Sequence, residues 1–241
     1  MRFLEILERA FTVRKCIFCD EVIDYERKEP ICDECVPSWL ASLDIMCNTC
    51  GFDSEFCTCL PQKIREINNS LSAWGVFYTP ELQTPANRVV YMLKREHNKD
   101  VIKFCADIIH NRILKLCAKH GIKYSDFVIT YPPRRSYSVV LYGFDHARLL
   151  ARELARKMGL ELIECFDNVG KKEQKRLTKS SRLSNAAESY VLLKNVDVKG
   201  KSIFIVDDVM TTGATLNICS NLLRFAGAKS IIPVTFAKDM K

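Results

Sequence analysis

The chain has 241 residues, 48% apolar and 27% charged, with a formal net charge of +7. That suits one α/β domain plus a small extra module. No run approaches the roughly 18 consecutive apolar residues of a membrane span, and acids interrupt the apolar run at residues 1–9, so no signal peptide is read and a cytoplasmic location is expected.

In chain order, residues 3–12 suit a short amphipathic helix, and a cysteine-rich segment follows. Eight of the 12 cysteines fall between positions 16 and 59. They run Cys16-x2-Cys19, Cys32-x2-Cys35, Cys47-x2-Cys50 and Cys57-x-Cys59. A C-x2-C turn aims two thiolates at one point and supplies half of a tetrahedral zinc site. Gly51 suits the tight turn after Cys50. A disulfide framework is the rival and does not suit a reducing compartment. A redox pair would need one C-x2-C beside a βαβ core rather than four pairs in a row. The reading is structural zinc on Cys16, Cys19, Cys32, Cys35, Cys47, Cys50, Cys57 and Cys59. Sequential and interleaved pairings both stand, as do one and two zincs. Cys105, Cys117, Cys165 and Cys219 read as buried thiols.

From about residue 64 cysteine becomes rare and apolar periodicity begins, so a cysteine module over 1–62 and a larger domain over 63–241 are expected. Residues 1–62 hold 6 Lys+Arg against 12 Asp+Glu, and residues 63–241 hold 30 against 17. The larger part therefore carries +13 and attracts phosphorylated or polyanionic partners. Its cations can equally be plain surface solvation.

Residues 73–78 read as a strand, and 86–95 and 101–118 as helices. The second helix would bury a stripe of Val101, Cys105, Ile108, Arg112 and Leu116. Residues 127–131 form a buried strand stopped by Pro132-Pro133. Residues 144–158 form a helix burying Ala147, Leu150, Ala151, Leu154 and Met158, ended by Gly159. Residues 160–165 suit a further strand. Residues 166–190 are polar and basic without a period and read as a surface loop. A strand over 202–206, a helix over 216–226 ended by Gly227, and a strand over 230–236 complete the pattern. Strands alternating with helices predict an α/β fold with a doubly wound parallel sheet.

The strongest motif is Val206-Asp207-Asp208-Val209-Met210-Thr211-Thr212-Gly213-Ala214-Thr215. An apolar strand brings two carboxylates to the sheet edge where ligands of open α/β sheets bind. A Thr/Gly loop then opens a helix, whose free N–H groups and positive dipole end suit a phosphate. Carboxylates upstream can accept from sugar hydroxyls or hold Mg2+. Such a loop can take both ends of a ribose 5-phosphate. The bland reading, strand-end acids beside an ordinary helix start, does not account for the complete arrangement.

This stretch resembles the phosphoribosyl pyrophosphate (PRPP) motif of type I phosphoribosyltransferases. With the cysteine pairs, Tyr91-Met92-Leu93-Lys94, Tyr131-Pro132-Pro133-Arg134-Arg135, Gly143-Phe144 and Leu149-Leu150-Ala151-Arg152, the pattern resembles the ComF family, which pairs an N-terminal zinc ribbon with such a domain. The resemblance implies a type I phosphoribosyltransferase-like fold. It implies that Asp207 and Asp208 meet the ribose hydroxyls or their Mg2+, that Thr211, Thr212, Gly213, Ala214 and Thr215 cradle the 5-phosphate, and that Arg134 and Arg135 face the pyrophosphate. It also implies a role in DNA uptake or recombination, with single-stranded DNA and proteins of those processes as partners. The weak candidate for nucleic acid is Lys171, Lys172, Lys175 and Arg176. The alternative is an active phosphoribosyltransferase with an unknown acceptor. The family stretch Arg-Gly-Phe-Asn-Gln is Tyr142-Gly143-Phe144-Asp145-His146 here, which bears on turnover more than on PRPP binding. His146, in the first turn of a helix, reads as a surface or packing residue before a general base.

Overall fold

The computed structural model describes residues 13–67, 71–79, 84–169 and 189–240. The helix expected over 3–12 and the basic residues Lys171, Lys172, Lys175, Arg176 and Arg182 lie outside these. The described elements are α1 (Val36–Leu43), α2 (Gln62–Arg65), β1 (Ala73–Tyr78), α3 (Pro85–Arg95), α4 (Lys99–His120), β2 (Phe127–Thr130), α5 (Ser136–Tyr142), α6 (His146–Met158), β3 (Phe166–Asn168), β4 (Tyr190–Leu192), β5 (Ser202–Met210), α7 (Ala214–Phe225) and β6 (Ser230–Asp239).

Local chemistry sets the helix ends. Thr84 caps α3, which carries Pro85 in its first turn where no N–H is missed. Asn98 accepts from Asp100 N and Val101 N to start α4, and Asp145 accepts from Ala147 N and Arg148 N to start α6. Both α4 and α6 end on a left-handed glycine, Gly121 and Gly159.

Four strands form one parallel sheet in the order β1-β6-β5-β2. On β5, Phe204 and Val206 belong to the core with α3, α4 and α6, whereas Ile203 and Ile205 belong to the core with α7. This is the alternation a strand buried on both faces must show. Continued along the strand, it assigns Asp207 to the α7 face and Asp208 to the opposite one.

Four expectations are corrected. The helix expected over 144–158 begins at His146, and an unexpected helix, α5, precedes it, the two parted by Gly143 at φ 77°. Residues 160–165 contribute one parallel bridge, Leu162 to Ile129, rather than a strand. The ends of the presumed loop pair instead as an antiparallel β3-β4 ribbon. On α4 the buried residues are Val101, Ile102, Phe104, Cys105, Ala106, Ile109, Ile113 and Cys117, so Val101 and Cys105 are buried as expected while the later positions of the stripe lie one residue further round the helix.

The displaced stripe has a physical cause. Ile108, Arg112 and Leu116 are only partly buried, and Arg112 faces the second half of the cysteine segment. Its guanidinium donates to Ser54 Oγ and Gly75 O, both at 3.0 Å, and pairs with Glu55 at 3.1 Å. Lys115 also pairs with Glu55. The first half docks through Trp39, whose ring lies 5.7 Å from Phe18 and 5.1 Å from Phe104 on α4. Arg14 pairs with Asp100, and Arg88 with Asp20. Arg88, Arg112 and Lys115 thus meet acids of the cysteine segment, while Arg14–Asp100 runs the other way.

Candidate functional site

The acid pair sits near the end of β5. Asp208 is buried and Asp207 half-buried. Each carboxylate accepts from the next backbone N–H: Asp208 N donates to Asp207 Oδ1 at 2.8 Å, and Val209 N to Asp208 Oδ1 at 2.7 Å. The remaining oxygen, Asp208 Oδ2, lies 3.0 Å from His146 Nε2 and 3.3 Å from Lys94 Nζ. Both contacts favour the charged form of Asp208.

The environment separates the two acids. Burial and the charge of Asp208 push Asp207 well above the ordinary carboxylate range. Burial pushes Asp208 the same way, but His146 and Lys94 outweigh it and hold Asp208 below that range. One negative charge is thus favoured over two.

The loop after β5 leads into α7. Thr211 and Thr212 are exposed, and Gly213 precedes the helix at φ 74° with no side-chain cap. The first N–H groups of a 12-residue helix therefore stay largely available at its positive end. Gly213 is required twice over. Its φ is left-handed, and a Cβ there would come within 2.5 Å of Ile64 Cγ1 on α2. Asn217 Nδ2 donates to Lys63 O at 2.7 Å and strengthens the same contact. The stretch that follows the last cysteine pair is thereby packed against the Thr/Gly loop.

Arg134 and Arg135 follow β2. Arg134 N donates to Asp145 Oδ2 at 2.8 Å, which ties the Pro132-Pro133 turn to the start of α6. The Arg134 guanidinium lies 4.9 Å from the centre of the Tyr142 ring. Arg135 is exposed at the start of α5. Asp145 and Tyr142, two departures from the family stretch, are thus the residues that fix Arg134.

Sequence reasoning missed two neighbours and undervalued a third. Lys94 was noted only as part of a pattern. Tyr190, in β4, is in hydrogen-bonding range of the Thr215 side chain and within the electrostatic reach of Asp207 and Arg135; burial raises its hydroxyl. No local pattern could have placed Tyr190, because the basic stretch separates it from β3. Of the two readings given for His146, surface or packing, burial against Asp208 fits the second.

The cysteines form two groups in sequence order: Cys16, Cys19, Cys32 and Cys35, then Cys47, Cys50, Cys57 and Cys59. Within each, all four sulfurs lie within 4.8 Å of one another, close enough to share one tetrahedral ion. This is the sequential pairing. Phe18 N and Cys32 N donate to Cys16 Sγ at 3.4 and 3.3 Å. Burial opposes ionisation of Cys16, yet backbone donors lower it to about 7, and those of Thr49 and Cys50 lower Cys47 to about 6. Burial and the neighbouring thiols raise Cys35, Cys57 and Cys59 in the same clusters, so it is the convergence of four sulfurs that lets each cluster bind zinc. Cys105, Cys117, Cys165 and Cys219 are buried, as expected.

The phosphoribosyl transferase domain family matches residues 144–241. Competence protein ComFC of Bacillus subtilis is 25% identical, over 93% of this chain and 95% of that protein. The chain is similar to ComFC along nearly its whole length. A ribose-phosphate pyrophosphokinase of Pyrococcus abyssi is 50% identical over 40 residues, 17% of this chain and 14% of that protein. A solved hypoxanthine-guanine phosphoribosyltransferase of Bacillus anthracis is similar at a TM-score of 0.37 and 14% identity, over 57% of this chain and 68% of that one. In this chain the motif read from sequence, the family match and the parallel-sheet edge coincide on β5 and α7.

The split between the two acids gives a prediction. A carboxyl raised in the folded state keeps a proton that the unfolded chain releases above pH about 4. Asp207 therefore costs stability as pH rises from there towards its folded value. Asp207→Asn should raise the thermal midpoint at pH 7 and change it little at pH 4. Asp208, depressed in the fold, stabilises above pH about 4 and loses that contribution as pH falls, so Asp208→Asn should lower the midpoint at pH 7. Thermal unfolding of both variants across pH 4–8 checks the opposite signs.

Proposed function

We propose that this ComF-like chain binds PRPP at the β5–α7 edge and acts with single-stranded DNA in DNA uptake or recombination. The observation that carries the reading is the pairing of Asp207 and Asp208 with an uncapped helix start at Gly213. The acids would hold the ribose hydroxyls or a Mg2+ shared with the pyrophosphate. The amides and hydroxyls of residues 211–215 would hold the 5-phosphate, with Tyr190 steadying Thr215. Arg135, exposed beside Tyr190, suits the pyrophosphate better than Arg134, which is tied to Tyr142. Zinc on the two cysteine clusters would act as structure. A closed four-thiolate site leaves no position for chemistry. The stretch over 1–62 then serves as a metal-stabilised buttress for the domain over 63–241.

The name of the Bacillus subtilis relative supports a place in competence. The +13 charge of residues 63–241 supports a polyanionic partner, and Lys171, Lys172, Lys175 and Arg176 are the cations proposed to meet it.

One observation favours a second reading, transfer of ribose 5-phosphate to an acceptor. A cavity of about 790 Å³ beside the first cysteine cluster is bounded by Phe18, Tyr78, Tyr91, Arg88 and Lys94. Lys94, one of its lining residues, also touches Asp208, so the cavity is one residue removed from the acid pair, with aromatic side chains in its wall that suit a planar acceptor.

Calorimetric titration with Mg-PRPP should give one site, and the double variant Asp207→Ala/Asp208→Ala should bind at least roughly tenfold more weakly. Equal affinity would remove the reading. Gel shifts with single-stranded DNA should weaken steeply with salt. Changing Lys171, Lys172, Lys175 and Arg176 to Ala should reduce the log–log salt slope by roughly 3; an unchanged slope would discard that stretch. Pyrophosphate release from PRPP with a panel of bases and amines tests transfer, and silence across the panel would exclude it for those acceptors.

A further inference from the structure

Lys238, on β6, is the one lysine or arginine buried among the described residues, at 4% exposure. Among those residues no carboxylate pairs with it. Its ammonium lies instead 5.1 Å from the centre of the Trp74 ring and 5.3 Å from that of the Phe77 ring, both on β1. Ring faces return only part of what an ammonium loses on leaving water, so an anion is still needed. The anion within reach is sulfur. Trp74 and Phe77 share one buried cluster with Cys47 and Cys57, and Cys57 and Trp74 border one cavity. Burial raises the Cys57 thiol, and the charge of Lys238 works against that rise. A zinc ion held by four thiolates carries two net negative charges. As four neutral thiols the second cluster would leave Lys238 uncompensated, whereas as a zinc tetrathiolate it supplies the missing charge. The first cluster has no buried cation. Arg27 is within electrostatic reach of Cys16 and Cys32 but is already paired with the exposed Asp33.

We infer that Lys238 is the counter-charge of the second cysteine cluster, a positioning residue that favours zinc on Cys47, Cys50, Cys57 and Cys59 over the empty cluster. The inference rests on the clusters being zinc sites, and it goes beyond that reading by making the two unequal. It also joins the metal to the sheet edge. Lys238 lies in register with Met210, the last residue of β5 before the Thr/Gly loop. The ammonium that meets the cluster is therefore held on the strand position beside the proposed phosphate site.

The test uses the full, zinc-loaded chain. Metal analysis first counts the zinc. A graded chelator then withdraws it, and alkylation read by mass spectrometry shows which cysteines have been freed. Lys238→Met should weaken zinc on Cys47, Cys50, Cys57 and Cys59 at least roughly tenfold, the loss expected when a ligand loses an outer partner. Release from Cys16, Cys19, Cys32 and Cys35 should stay as in the wild type. Lys238→Arg keeps the charge and can stack on the same rings, so it should hold zinc within about threefold of the wild type. A packing defect would not be rescued in this way. Unchanged release in Lys238→Met, a shift of both clusters together, or failure of Lys238→Arg to restore the second cluster would overturn the inference. A further measurement needs no variant to fold: on the wild-type chain, acetylation of Lys238 should begin only with alkylation of Cys57. Lys238 labelled while Cys57 is still protected would also overturn it. If metal analysis finds no zinc, the zinc reading falls and takes this inference with it. If zinc is present and its release does not depend on Lys238, only the counter-charge falls.

Discussion

Two carboxylates side by side near the end of a buried strand repel each other and have lost much of their water. Everything around Asp207 and Asp208 is arranged against that cost. Strand alternation sends one to each face. Each accepts a backbone N–H from its successor. Lys94 draws on both acids and His146 pairs with Asp208, leaving Asp207 the acid that resists ionisation. A strand that needed only to be stable would not carry this pair. Under the proposed reading a cationic or sugar ligand would offset the cost, and the uncapped start of α7 beside it would take a phosphate.

The cysteine segment takes part in this arrangement. Ile64 packs where a Cβ on Gly213 would sit, and Asn217 reaches back to Lys63. The phosphate-type loop is therefore shaped partly by residues just after the last cysteine pair. Trp39 between Phe18 and Phe104, and Glu55 between Arg112 and Lys115, fix the two cysteine groups to α4. The cysteine clusters and the shape of the loop are linked by packing. Damage to the cysteines should be felt at the sheet edge as well as locally.

Much of this was legible in the sequence, and the unread parts have identifiable causes. The β5–α7 motif was plain because strand, acids, loop and helix start are contiguous. The cysteine groups followed the spacing. The helix α5 was missed because Pro132-Pro133 and Gly143 bracket only seven helical residues, too short for a periodic signal. The stripe on α4 was misplaced because Arg112 packs against Ser54 and Gly75, a contact that no periodicity encodes. His146 was left between surface and packing because its partner lies 62 residues further along the chain, and Tyr190 was invisible for the same kind of reason. Residues that touch the site across the fold carry no local pattern.

The central claim is that the acid pair and the adjoining helix start hold one phosphorylated ribose between them. A crystal structure of the chain grown with Mg2+ and PRPP tests it most directly. The account predicts density for the 5-phosphate on the amides of residues 211–215, with the ribose hydroxyls or their metal against Asp207 and Asp208. Ordered PRPP bound elsewhere on the protein, with the two carboxylates making no contact to sugar or metal, would contradict it.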